Sequence, residues 1–222
     1  MALYDIFGKK RCRPVYEAQE KRNPDTLLEY KWSALSSLLY IGLSIYTFWT
    51  TTKYPAMSYA TTAMFVVTGF SSFFFWASMR YTMQKLDVGS YSSMLHWPGF
   101  YFLSAFFPES DFAIMLVFVA ISALLILYIF WVGIERIGKI RLFINIFSVT
   151  FSTLTCMVLI YLYGLDISVS YFYGGLLFFA LGVYAKFADS LRFSFRIVQQ
   201  KGTALFHLLT ATAAFFLFQS AQ

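Results

Sequence analysis

Residues 112–133 read Phe112-Ala-Ile-Met-Leu-Val-Phe-Val-Ala-Ile-Ser-Ala-Leu-Leu-Ile-Leu-Tyr-Ile-Phe-Trp-Val-Gly133, 22 positions without a charged side chain. A helix needs about 20 mostly apolar residues to cross a bilayer core. The run is continuous and lacks the two-residue alternation of a membrane barrel strand. Residues 112–133 therefore predict a transmembrane helix. Working outward, the same criterion predicts spans at 32–50, 57–78, 88–107, 142–164, 168–187 and 203–219. The third of these is diluted by Ser90, Tyr91, His96, Trp97 and Pro98. Pro98 is expected to kink it rather than end it, because neighbouring helices can satisfy the freed carbonyl. The expectation is an all-α seven-transmembrane-helix bundle over residues 32–219, preceded by a basic polar tail over residues 1–31.

Composition agrees. The chain of 222 residues is 59% hydrophobic and 22% aromatic, with only 13% charged residues, against about 25% charged in soluble domains. This excludes an ordinary soluble enzyme and a disordered chain. The excess of 17 basic over 11 acidic residues invites a nucleic-acid reading, but the placement of the basic residues argues against it. Sixteen of them fall on the side of the N-terminus in the seven-span order: the tail and its boundary, Arg80 and Lys85, Arg136, Lys139 and Arg141, and the group Lys186, Arg192, Arg196 and Lys201. Only Lys53 falls on the other side, which carries Glu109, Asp111 and Asp166. Basic loops stay on the cytosolic or matrix side, so the N-terminus is expected on that positive side and no nucleic-acid partner is expected. Cys12 and Cys156 are too few for a disulfide framework or a thiolate cluster. The tail has no apolar core ahead of its basic cluster, so it is not read as a secretory signal. Acidic residues interrupt its charge, so it is a poor transit peptide. A charged tail stays ordered only when tied down, so an ordered tail is expected to lie against a partner.

Ionisable and polar groups near a membrane interior are functional candidates by default. Ser72 and Trp76 lie four apart near the inner end of the second span, Asp87 follows eleven residues after Trp76, and Thr203 and His207 lie four apart at the inner start of the seventh. Residues four apart share a helix face. The topology puts all of them on one membrane side, where they can meet in one pocket.

Three stretches carry a resemblance: Gly69-Phe-Ser-Ser-Phe-Phe-Phe-Trp-Ala77, Gly202-Thr-Ala-Leu-Phe-His-Leu-Leu-Thr-Ala211 and Glu29-Tyr-Lys-Trp-Ser-Ala-Leu-Ser-Ser-Leu-Leu-Tyr40. With the spacing of Asp87, they resemble the seven-helix superfamily of alkaline ceramidases and adiponectin/progestin-type receptors. In that family a serine precedes a histidine by four residues on helix 2, an aspartate follows at helix 3, and an H-x-x-x-H pair lies on helix 7. The resemblance implies a zinc ion on three histidines, whose bound water attacks a lipid amide. It also implies that Ser72 and Asp87 stand at the family's serine and aspartate, and His207 at its last histidine.

This chain departs from the pattern at the ligands. Trp76 stands where the helix-2 histidine would be, Thr203 stands for the first histidine of helix 7, and the helix-1 asparagines are gone. Indole has no lone pair for a metal, and a catalytic zinc site needs three protein ligands. His96 lies nine residues beyond Asp87, on nearly the opposite helix face, and is a poor substitute. Plainer roles stand beside these. Trp76 suits an interfacial aromatic belt, Asp87 a helix N-cap, Ser72 a bond to its own helix, and His207 a satisfied interior histidine or a partner of Asp87 tying helices 3 and 7. Gly174, Gly175 and Gly182 are read as close helix packing rather than a hinge, the hydroxyls of helix 5 as packing groups, and Gln199 and Gln200 as loop residues.

The functional expectation is a non-catalytic, ceramidase-like membrane protein with a relic pocket of Ser72, Asp87 and His207 and lost ligand positions Trp76 and Thr203. No catalytic residue, metal or other cofactor is expected. It is expected to serve as a structural subunit of a larger membrane complex, with membrane lipids and protein partners, and to hold a lipid in the pocket. The alternative is an active zinc-dependent ceramidase-type amidase, with zinc as cofactor; a third reading is a lipid-sensing receptor relative. The mitochondrial inner membrane and the endoplasmic reticulum or Golgi both remain open.

Overall fold

The computed structural model describes residues 27–50, 53–132, 134–187 and 196–222, with only the backbone placed for 134–142, 187 and 196–201. Residues 1–26, and with them the expected docking role of the tail, lie outside the described residues. Seven α-helices and no strand are present among the described residues: α1 (Lys31–Thr50), α2 (Pro55–Ser78), α3 (Tyr81–Phe106), α4 (Asp111–Val132), α5 (Ile134–Met157), α6 (Val169–Phe187) and α7 (Arg196–Ser220). Five segments are long and apolar enough to cross a membrane: Pro55–Ser78, Pro108–Val132, Phe143–Leu162, Val169–Lys186 and Gly202–Ser220.

The surfaces of α1 explain why it falls short of that apolar threshold. Its buried face carries Ser33, Ser37, Ser44 and Thr47, while Leu38, Ile45, Phe48 and Trp49 face outward, Trp49 with 78% of its surface exposed. An apolar rim around a polar interior inverts the soluble pattern. It is the pattern of an integral membrane protein, where small hydroxyl residues let helices approach and bond across their interface. In α3, polar residues are tolerated because the helix is enclosed by α2, α4 and α5.

α3 begins seven residues before the expected span. Tyr81-Thr-Met-Gln-Lys-Leu contains no helix breaker, and Met, Gln, Lys and Leu are good helix formers, so the helix continues beyond its apolar stretch. Asp87 is thus the seventh residue of α3 and not its N-cap; Arg80 holds that position. The same effect lengthens α5 and α7. Arg136, Lys139 and Arg141 fall within α5, separated from α4 by residue 133 alone, and Gln199 and Gln200 fall in the first turn of α7. α5 ends in a π-helical turn, Val158–Leu162.

Pro98 lies inside α3, and a serine of the neighbouring helix meets the backbone beside it. The Ser152 hydroxyl of α5 donates to the Leu95 carbonyl at 2.8 Å, and the Gly99 N–H donates to Ser152 Oγ at 3.4 Å. One side chain thus engages both members of an i, i+4 pair, next to the Met94 carbonyl for which the proline has no N–H. Gly99 permits the approach, since a Cβ there would stand 3.1 Å from the Ser152 Cα. At the opposite end of the bundle, the buried Asp111 accepts from the Ala56 N–H at 2.8 Å and the Met57 N–H at 3.1 Å, capping α2 from the start of α4. Burial, and then the charge of this carboxylate, push the Tyr54 phenol above its usual range.

The glycines of α6 lie against α7. A Cβ at Gly175 would meet Leu217 Cγ at 2.7 Å, and one at Gly182 would meet Thr210 Cγ2 at 3.0 Å. These positions are two turns apart on one face, which makes a close seam along both helices. α7 also packs on α1, and α1 on α2, whereas α5 and α6 are not packed along their lengths.

Candidate functional site

The end of α2 is held before it meets the pocket. Tyr30 N–H donates to the Trp76 carbonyl and Glu29 N–H to the Ala77 carbonyl, both at 3.1 Å, satisfying two of the helix's last acceptors. Met79 then takes a left-handed conformation (φ 50°), and its N–H bonds to the Phe75 carbonyl at 2.7 Å. This tight reversal sends α3 back along α2 after two linking residues. It brings the C-terminal part of α2 and the N-terminal part of α3 to the pole where α1 starts, α6 ends and α7 starts.

His207 is the centre of that pole and is 5% exposed. Its Nδ1 lies 2.9 Å from Ser36 Oγ and 3.3 Å from Ser37 Oγ, and its Nε2 lies 3.4 Å from Ser72 Oγ. Ser37 Oγ in turn donates to Ser72 Oγ at 3.1 Å. A neutral imidazole offers one donor and one acceptor, and hydroxyls supply either role, so both ring nitrogens are served in either tautomer. The side chains that meet His207 come from α1 and α2, so the ring joins α7 to those two helices rather than to α3 alone. Next to it, the Tyr40 hydroxyl lies 2.5 Å from Thr210 Oγ1, which donates to the Phe206 carbonyl at 2.6 Å.

The remaining residues fall into two groups. Asp87 lies near enough for its charge to act on Tyr40, which places it at the same pole. Trp76 and Thr203 both lie against Lys186, from the last turn of α6. The Lys186 ammonium sits 5.2 Å from the Trp76 ring centroid, 5.4 Å from that of Phe206, and 3.3 Å from Thr203 Oγ1. Its charge also reaches His207. The Trp76 indole N–H is buried and has no hydrogen-bond partner among the described residues, so this side chain meets the cation with its ring face.

His96 is elsewhere. Its Nε2 lies 3.2 Å from Ser122 Oγ of α4, and its ring packs between Phe100 and Phe118. Among the described residues, no three side chains of His, Cys, Asp or Glu gather at one point.

Sequence reading missed Ser36, Ser37, Tyr40 and Lys186. The first three lie in the quoted helix-1 stretch, where a face of hydroxyls at helical spacing was the available signal. Lys186 was read as a positive-side charge, and nothing in the order of residues tells a lysine pointing outward from one folded back over an aromatic ring.

A second feature opens sideways. Between α3, α5, α6 and α7 lies a cleft of about 70 Å³, lined by Leu95, Pro98, Val149, Phe172, Leu176 and Ala214 among others. Its walls are apolar apart from a few hydroxyls such as Thr153 and Thr210, the latter one turn from His207. Compared with protein-family models, curated proteins and solved structures, the chain finds no match.

Proposed function

We propose that this chain is a seven-span membrane protein, with its N-terminus on the positive side, and that it serves as a non-catalytic structural subunit of a larger membrane assembly. The observation that carries this reading is the engagement of both His207 nitrogens by hydroxyls from α1 and α2. In this arrangement the imidazole is a helix tie. A metal ligand would need one nitrogen aimed at an ion and the other fixed by an orienting partner. The donor set supports the same reading. Trp76 has no lone pair to offer, Thr203 offers a neutral hydroxyl beside an ammonium group, and a catalytic zinc ion needs three protein ligands and an open position. The residues present do not fit that ion.

Seven spans follow if α1 and α3 cross with the five apolar segments, their polar faces satisfied inside the bundle. The reading includes a lipid chain in the cleft between α5 and α6, whose apolar walls match an acyl chain in chemistry. The mitochondrial inner membrane and the endoplasmic reticulum or Golgi both satisfy the charge distribution, since both present a positive side. An assembly role is most easily accommodated in the former, where multi-subunit complexes are common.

The test is purification in mild detergent, followed by metal analysis, incubation with ceramide and identification of co-purifying chains. The expected result is sub-stoichiometric zinc, no hydrolysis above buffer and a defined set of partners. Stoichiometric zinc that disappears in His207→Ala, or ceramide hydrolysis abolished by Asp87→Ala, would establish the amidase instead. Isolation as a lone monomer would remove the subunit role.

A further inference from the structure

We infer that Lys186 is the resident cation of the polar pocket, held there by Trp76, Phe206 and Thr203, and that it keeps the pocket closed to divalent metal ions. This rests on the non-catalytic reading above and supplies its physical cause. The ammonium lies within 5.5 Å of two aromatic ring centroids and at hydrogen-bond distance from a hydroxyl. Aromatic faces carry negative potential and attract a cation within about 6 Å. Two such faces and an oxygen acceptor, contributed by α2 and α7, form a receptor for a lysine from α6. Trp76, Thr203 and Lys186 therefore form one unit. An indole at 76 presents a π face where an imidazole would present a lone pair, a hydroxyl at 203 accepts from an ammonium, and the lysine fills the space between them.

Electrostatics then separates the two occupants. A divalent ion at His207 would share a low-dielectric pocket with a fixed positive charge, and like charges there repel strongly. Restoring nitrogen ligands at 76 and 203 would loosen the hold on the lysine but leave its charge tethered to the last turn of α6, beside the pocket. Removing the lysine as well would lift the repulsion.

The first experiment uses the unaltered chain in detergent. Its lysines are reductively methylated with limiting formaldehyde and cyanoborohydride and read residue by residue by mass spectrometry. Lys186 should react at least about tenfold more slowly than the exposed Lys53, because the aromatic faces and the hydroxyl engage its ammonium group. Trp76→Leu should speed it, and Trp76→Phe should preserve most of the protection. Equal rates at Lys186 and Lys53 in the unaltered chain, or no response to Trp76→Leu, would overturn the inference. The second experiment titrates zinc by competition with a chromophoric chelator. The pair Trp76→His with Thr203→His still carries the ammonium at the end of α6, and adding Lys186→Met to that pair should tighten zinc binding about tenfold or more. Equal affinity with and without Lys186 would overturn the inference. Stoichiometric zinc on the unaltered chain would overturn the non-catalytic reading, whereas rapid methylation of Lys186 in a zinc-free chain would overturn this inference alone.

Discussion

Removing the carboxylate of Asp111 tests how the end of the bundle opposite His207 is held. Tyr54, at the N-cap of α2, makes no side-chain cap bond, and Pro55 follows with no N–H to satisfy. The next two donors, Ala56 and Met57, both go to Asp111, at 2.8 and 3.1 Å. In Asp111→Ala both N–H groups, the buried one of Met57 and the half-buried one of Ala56, lose their acceptor, and each such loss costs about 1–3 kcal/mol. The loop end is within reach of water, which favours the lower half of that range, and the lost charge at a helix N-terminus adds about 0.3–1 kcal/mol. The expected destabilisation is about 2–5 kcal/mol. Asp111→Asn keeps one acceptor oxygen and should fall roughly midway. Glu109→Ala, an exposed neighbour in the same turn, should stay within about 0.5 kcal/mol of the parent. Reversible unfolding in mixed micelles, titrated with a denaturing detergent, measures all three. A change below about 0.5 kcal/mol for Asp111→Ala, indistinguishable from Glu109→Ala, would refute the account of α2 capped from α4.

Gly175→Val should destabilise by about 1–3 kcal/mol through overpacking, because its Cβ would press on Leu217 Cγ and the Ala213 carbonyl. Gly42→Ala in α1 meets nothing within 4 Å and should be neutral or stabilising by up to about 1 kcal/mol; thermal unfolding of the two variants side by side checks the contrast. Thr61→Val removes the acceptor of the Trp97 indole N–H, bonded at 2.7 Å, and should lower the unfolding midpoint through a loss of about 1–3 kcal/mol.

Helix positions were legible because apolar runs and their interruptions are local. The run at 112–133 became α4, Asp111–Val132, almost unchanged. Helix ends were not legible where polar helix formers followed an apolar stretch, which is why Asp87 was read as a cap and lies inside α3. The glycines of α6 were read as packing residues, and they pack on α7. The pocket was legible in part. Ser72 and His207 do meet, since each could be assigned to a helix and a membrane side. The hydroxyls of Ser36 and Ser37 were passed over because serine is common in packed membrane helices. The place of Lys186 depends on how α6 is rotated against α7, and the close approach at Gly175 and Gly182 that accompanies this rotation is not written in the residues around Lys186.

The bond pattern around Pro98 makes two residues on separate helices mutually dependent. A proline at 98 without a hydroxyl at 152 would leave the Leu95 carbonyl and the Gly99 N–H without their contact from α5. A serine at 152 opposite an unbroken helix would have nothing to bridge. Neither change is harmless alone, whereas both together restore two ordinary helices, so sequence drift at this crossing is expected to proceed in pairs, and α3 and α5 inherit a fixed register from it.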